Sequence, residues 1–199
     1  MSDSPVDPGR RNWVAMTAGA GAIGGVTAAV PFVSNFLPSE RAKAAGAAVE
    51  ADISNLKPGE KMTVEWRGKP VWVVRRTKEQ LDSLKKTDAQ VADPKSQRKP
   101  DELTPSYARN EHRAIKPEYF VAVGICSHLG CSPSDKLQPG AQPSLPDDWQ
   151  GGFLCPCHGS TFDLAGRVFK NKPAPDNLEV PPHMYLSDTL LLIGEDKKA

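Results

Sequence analysis

The 199 residues are enough for one domain of ordinary size plus an appendage. A formal net charge of +1 gives no electrostatic ground for a nucleic-acid partner or for a strongly acidic one. Nineteen prolines and sixteen glycines argue against a helical bundle and for a loop-rich, mainly β chain.

Residues 1–12 are polar and include Arg10-Arg11, and no charged residue follows until Glu40. The Ala- and Gly-rich segment 13–37 would reach roughly 38 Å as a helix at ~1.5 Å per residue. That is enough to cross a hydrocarbon core of ~30 Å. A transmembrane anchor is expected there, bent by Pro31 near its outer end. Gly21 and Gly25 form a Gly-x-x-x-Gly pair that would let another helix approach, although glycine is abundant in this segment. Arg10-Arg11 followed by Asn12-Trp13-Val14 looks like a twin-arginine export signal, of the kind carried by proteins exported already folded around a cofactor. Basic residues ahead of the span keep that end in the cytoplasm and send the remainder to the far face. The competing reading is a cleaved signal peptide with Ala45-Gly46-Ala47 as its processing site; the length of the apolar run favours a retained anchor. The alanine-rich segment 38–51 reads plainly as a frayed helix or linker, and composition alone does not decide between that and a functional hinge.

From residue 52 the pattern turns to short strands. Met62, Val64 and Trp66 alternate with polar residues, as on a half-buried strand. Arg67-Gly68-Lys69-Pro70 reads as a turn into a second, more buried strand over 71–74, and the pair predicts a hairpin. Thr77 with Gln80 forms a capping box for a short helix carrying Leu81 and Leu84. Residues 88–116 are polar and aperiodic and read as surface loop. Apolar runs follow at 119–125, 151–154 and 166–169, with a Pro-rich loop over 132–150. Closing strands are predicted at 178–180, 184–186 and 190–193.

Two of these runs lead directly into the residues that carry chemistry. The first enters Cys126-Ser127-His128-Leu129-Gly130-Cys131, and the second enters Cys155-Pro156-Cys157-His158-Gly159-Ser160. The boxes use all four cysteines and two of the four histidines. Thiolate and imidazole suit iron–sulfur clusters and zinc alike, and six such residues are too many for one four-ligand site. Each box can supply one Cys and one His, leaving one thiol over in each, and two spare thiols brought together can form a disulfide. The spacing suggests Cys126 with His128 and Cys155 with His158, while Gly130 and Gly159 allow tight turns. A Cys2His2 zinc site would use the same atoms without accounting for two further cysteines in register. Two ordinary disulfides would suit an exported domain but leave the paired histidines unexplained. His112 and His183 lie outside the boxes and read as surface or packing residues.

These boxes resemble those of the Rieske iron–sulfur subunits of ubiquinol–cytochrome c reductases, the cytochrome bc complexes, which read Cys-Thr-His-Leu-Gly-Cys and Cys-Pro-Cys-His-Gly-Ser. The resemblance implies a mainly β fold: a Rieske-type antiparallel β-sandwich head over 52–199, with a small cluster-binding subdomain at about 119–181, plus one N-terminal transmembrane helix. It implies one 2Fe–2S cluster ligated by Cys126, His128, Cys155 and His158, a Cys131–Cys157 disulfide, and Ser160 donating to a bridging sulfide. His158 would be the quinol-facing ligand, Leu129 the apolar tip that docks on cytochrome b, and 38–51 a hinge for the head. The partners implied are cytochrome b, a c-type cytochrome, quinol and membrane lipid, in a dimeric complex that binds no nucleic acid. The chain would be single-pass in the inner membrane with its cluster domain in the periplasm. There it would oxidise quinol and pass one electron to a c-type cytochrome, coupled to proton translocation.

Two positions depart from the family pattern. Phe162 stands where the family often has a tyrosine donating to a ligand sulfur. Lys172 precedes Pro173-Ala174-Pro175 where the family's proline loop usually has glycine, and the chain is one residue longer after Gly166-Arg167. The alternatives are the Rieske subunit of a periplasmic oxidoreductase such as arsenite oxidase, and, in a different class, a structural zinc module. The ferredoxins of ring-hydroxylating dioxygenases generally lack the second cysteine pair.

Overall fold

The computed structural model describes residues 8–37, 39 and 46–196. Residues 1–7 of the N-terminal segment and half of the expected linker over 38–51, residues 38 and 40–45, therefore lie outside the described residues, and the linker's last three residues belong to the first strand. The chain divides into two compact units, 1–44 and 45–199.

The first unit contains helix α1, Pro8–Ser34, which starts ahead of the twin arginines. Its 27 residues reach ~40 Å, and it is long and apolar enough to cross a membrane. Trp13, Ile23, Val26 and Phe32 are all exposed along it, which is costly in water and not in lipid. Pro31 has no N–H to donate. The helix runs only three residues beyond it and closes with Asn35 N–H on the Pro31 carbonyl at 3.3 Å.

The second unit contains β1 (Val49–Asp52), β2 (Lys61–Trp66), β3 (Lys69–Arg75), α2 (Lys78–Thr87), α3 (Pro100–Leu103) and β4 (Tyr119–Val123). These are followed by β5 (Ser134–Lys136), β6 (Gly152–Leu154), β7 (Thr161–Asp163), β8 (His183–Tyr185) and β9 (Leu190–Ile193). The strands form three antiparallel sheets, ordered β1-β9-β8, β2-β3-β4 and β5-β6-β7.

Strands β3 and β4 of the second sheet are buried on both faces. Val71, Val73, Val121 and Val123 pack with Ala51, Ile53, Leu191 and Ile193 of the first sheet and its flank. Trp72, Val74, Phe120 and Ala122 pack on the other side with Phe153, Phe162, Cys126 and Cys155. Strands covered on both faces need apolar residues at successive positions. For that reason 71–74 and 119–123 read as unbroken runs, while β2, with one face partly exposed, alternates. Each such Val or Phe contributes roughly 1.5–3 kcal/mol by its burial.

The β2–β3 turn is tighter than the sequence reading of 67–70. Trp66 already pairs with Lys69, and only Arg67 and Gly68 turn, with φ of 53° and 70°. Positive φ at both positions matches the right-handed twist of the flanking strands. Helix α2 begins with the capping box: Gln80 N–H donates to Thr77 Oγ1 (3.2 Å) and Thr77 N–H to Gln80 Oε1 (2.9 Å).

Three stretches depart from the sequence reading. The polar segment 88–116 carries α3 and buries Arg113 completely. Its guanidinium donates to Ser96 Oγ, Thr104 Oγ1 and the carbonyls of Ala165, Gly166 and Leu178 at 2.7–3.2 Å. Five donors meet five acceptors, which is what allows a charge to sit there. The Pro-rich stretch 132–150 contains β5. Residues 178–180 form no named strand; the Glu179 carbonyl accepts from Val123 N–H, and Val180 N–H donates to Leu103 O, both at 2.8 Å.

Candidate metal centre

The two Cys–His boxes adopt one and the same loop. In the first, Gly130 N–H donates to Cys126 O (3.1 Å) and Cys126 N–H to Cys131 O (2.8 Å). In the second, Gly159 N–H donates to Cys155 O (3.0 Å) and Cys155 N–H to Ser160 O (2.8 Å). Gly130 and Gly159 have φ of 81° and 74°. A Cβ at either would meet nothing within 4 Å, so backbone conformation rather than space calls for glycine. In matched positions, Cys126 corresponds to Cys155, His128 to Cys157, Leu129 to His158 and Cys131 to Ser160.

Each loop roots a cysteine in the core and carries a histidine near its outer end. Cys126 and Cys155 are free thiols, each 2% exposed. His158 is exposed and His128 half-buried; their rings meet edge to face with centroids 4.7 Å apart at 88°. Leu129 beside them is 71% exposed. Cys131 and Cys157 form a disulfide with an S–S distance of 2.05 Å. The sulfurs of Cys131, Cys155 and Cys157 lie within 4.8 Å of one another, but with two of them in the disulfide they do not make a thiolate triad.

Burial pushes the Cys126 thiol above its ordinary pKa and the neighbouring Cys155 thiol adds to the rise, while the His128 N–H and the Ser160 hydroxyl pull the other way. A buried thiol held protonated is inert by itself; a bound metal removes that proton. The donor set is thus two shielded thiols and two imidazoles at the surface. It fits a group needing two sulfur and two nitrogen ligands, with the nitrogen side facing solvent.

Segment 173–177 is fastened to both loops. Ala174 N–H donates to Ser160 Oγ at 2.9 Å. Ser127 Oγ donates to Asp176 O at 2.6 Å, and Asp176 N–H returns to Ser127 Oγ at 3.3 Å. Asn177 anchors the far end, accepting from Val168 N–H and donating to Asp93 O, both at 2.9 Å. Phe162 is fully buried in the same apolar cluster as Cys126 and Cys155. His183 lies buried with Nδ1 2.8 Å from Pro181 O. His112 is half-buried, with Nε2 3.1 Å from Glu111 Oε1.

Sequence reasoning did not find Ser127, Asn177, Arg113 or the Arg167–Asp163 pair, in which Nε meets Oδ2 at 2.8 Å with both side chains buried. A hydroxyl between Cys126 and His128 is the one available signal, for Ser127; the others depend on partners distant in the chain.

Residues 47–182 match a family model described as the Rieske [2Fe-2S] domain. The chain is similar to the ubiquinol-cytochrome c reductase iron-sulfur subunit of Allochromatium vinosum, with 57% identity over 188 residues, covering 94% of this chain and 89% of that one. It is 39% identical over 189 residues to the protein of the same name from Bradyrhizobium diazoefficiens, covering 94% and 95%. The corresponding protein of Rhodospirillum rubrum is 39% identical over 178 residues, covering 89% and 87%.

Proposed function

The chain belongs to the Rieske [2Fe-2S] domain family, and we propose that Cys126, His128, Cys155 and His158 are the ligands of its 2Fe–2S cluster. It is the iron–sulfur electron-transfer subunit of a ubiquinol–cytochrome c reductase, a membrane-anchored component of a multi-subunit bc complex. One observation supports the ligand assignment above all. Two matched loops bring two free buried thiols and two imidazoles together, while the other two cysteines are joined to each other.

When bound, the cluster takes up and returns one electron, at a potential that histidine ligation raises from about −400 mV to about −150 to +300 mV. The chain's own residues supply the rest. The apolar setting of Cys126 and Cys155 keeps water from the sulfur side. His158, the more exposed imidazole, faces the quinol; its ring nitrogen not used for ligation accepts a hydrogen bond from the quinol hydroxyl and holds the proton released. Leu129 supplies an apolar contact for cytochrome b beside that approach. Ser127 and Ser160 hold segment 173–176 over the inner side of the loops.

Helix α1 anchors the subunit as a single span of the inner membrane, with its basic end in the cytoplasm and the β unit in the periplasm. There the subunit would pass one electron of quinol oxidation to a c-type cytochrome within a dimeric complex, by way of the cluster that Cys126, His128, Cys155 and His158 would hold, coupled to proton translocation. The names of the relatives favour this over the arsenite oxidase and zinc readings. Purification through this chain from mild-detergent membrane extracts is expected to bring b- and c-type haem subunits and ubiquinol-dependent reduction of cytochrome c. Recovery of the chain with neither haem would overturn the assignment to the complex.

A further inference from the structure

The strands that lead into the two ligand loops, β4 and β6, belong to different sheets. No backbone ladder between them sets how far apart the loop roots stand, so side chains must. Trp72, in the middle of β3 opposite Ala122 of β4, lies at that junction and is 3% exposed. The Nε1–Cε2–Cζ2 edge of its ring abuts Gly124, two residues before Cys126: a Cβ added to Gly124 would overlap Trp72 Cε2. Gly124 is therefore required by the ring. The ring also stacks on Phe153, two residues before Cys155, with centroids 4.9 Å apart at 25°. Lys61 Nζ lies 4.3 Å from the ring centroid and pairs with Asp135 Oδ1 at 2.6 Å. Asp135 sits opposite Phe153 in the β5–β6 pairing. The Lys61–Asp135 pair thus joins the same two sheets that the aromatic stack joins.

We infer that Trp72 is a positioning residue: its ring is the spacer that sets the separation of the two ligand loops at their roots, and so the separation of Cys126 from Cys155. The disulfide fastens the loops farther out, and Trp72 fastens them at the base. This inference rests on the cluster reading above but concerns residues that touch neither cluster nor quinol. Val73 provides the matched control. It is equally buried in the same strand but faces the opposite sheet.

The test uses the intact complex carrying Trp72→Ala, Trp72→Phe, Gly124→Ala or Val73→Ala. Three quantities are read: the paramagnetic spectrum of the reduced cluster, the rate of cluster removal by a chelator, and Tm. Trp72→Ala is expected to broaden the spectrum and speed cluster removal by at least about tenfold, the scale typical of losing support behind metal ligands. Trp72→Phe keeps the stack and restores most of both. Gly124→Ala pushes the ring aside and reproduces the alanine variant, which decides the matter should Trp72→Ala fail to accumulate. Val73→Ala lowers Tm while spectrum and removal rate stay as in wild type. An unchanged spectrum and rate in Trp72→Ala and Gly124→Ala, or equal changes in Val73→Ala, would overturn the inference. A wild-type protein with no cluster spectrum would instead overturn the cluster reading itself.

Discussion

Ser160 Oγ accepts a hydrogen bond from the backbone N–H of Ala174 at 2.9 Å, and both residues are buried. The same hydroxyl acts to lower the pKa of the Cys126 thiol, against the rise that burial causes. One side chain thereby fastens the second Cys–His loop to segment 173–176 and acts electrostatically on the thiol of the first. Ser160→Ala leaves the Ala174 N–H buried without an acceptor, at a cost of about 1–3 kcal/mol. It also removes a donor from the sulfur environment, and such donors favour the more negative, reduced state. A lower Tm together with a lower midpoint potential is expected. A redox titration at the wild-type midpoint would contradict the second half.

Phe162 is fully buried in the same apolar cluster as Cys126 and Cys155, the proposed ligands, and carries no polar atom. Phe162→Tyr places a hydroxyl where the family often has one directed at a ligand sulfur, and the midpoint potential is expected to rise. Titration of wild type and variant side by side measures this. An unchanged or lower value would show that the hydroxyl finds another partner.

The Cys131–Cys157 disulfide closes a sequence separation of 26 residues. Chain-entropy estimates for a loop of that size give about 3–4 kcal/mol. Cys131→Ser in the oxidised protein is expected to lose stability on that scale and to release the cluster faster on mild heating. Thermal unfolding followed by cluster absorbance provides the measurement, and a Tm equal to wild type would contradict it.

His183 is buried, and burial holds its pKa below the ordinary 6.5, partly offset by the Pro181 carbonyl. The folded state therefore binds fewer protons than the unfolded state once pH falls below ~6.5. Stability is fully present above that value and is lost as pH falls from it toward the depressed folded pKa. His112, also shifted down by burial, contributes with the same sign in wild type and variant alike. His183→Asn is expected to lower Tm at about pH 8 yet flatten its fall toward about pH 5. A slope as steep as that of wild type would exclude His183 as a source of the acid sensitivity.

The Cys–His boxes are legible in the sequence because their chemistry is local: residue identity and spacing of a few positions mark the candidate donors. The Thr77–Gln80 capping box and the β2–β3 hairpin are legible for the same reason. The equivalence of the two loops is not, since His128 and His158 occupy different positions of one hydrogen-bonded frame. Strand β5 consists of Ser134, Asp135 and Lys136, with no apolar alternation to mark it. Arg113 lies in a polar stretch that looks like surface, yet its five acceptors lie between residues 96 and 178. Trp72 resembles any strand aromatic until its contacts with both Gly124 and Phe153 are seen.

Pulsed paramagnetic resonance of the reduced, full-length protein, prepared with natural and with nitrogen-15-labelled histidine, tests the ligand assignment most directly. The expected result is a low-average-g signal with two distinct nitrogen couplings, both altered by the label, and loss of that signal in His128→Cys and His158→Cys. A signal without histidine nitrogen coupling, or one that survives both substitutions unchanged, would contradict it.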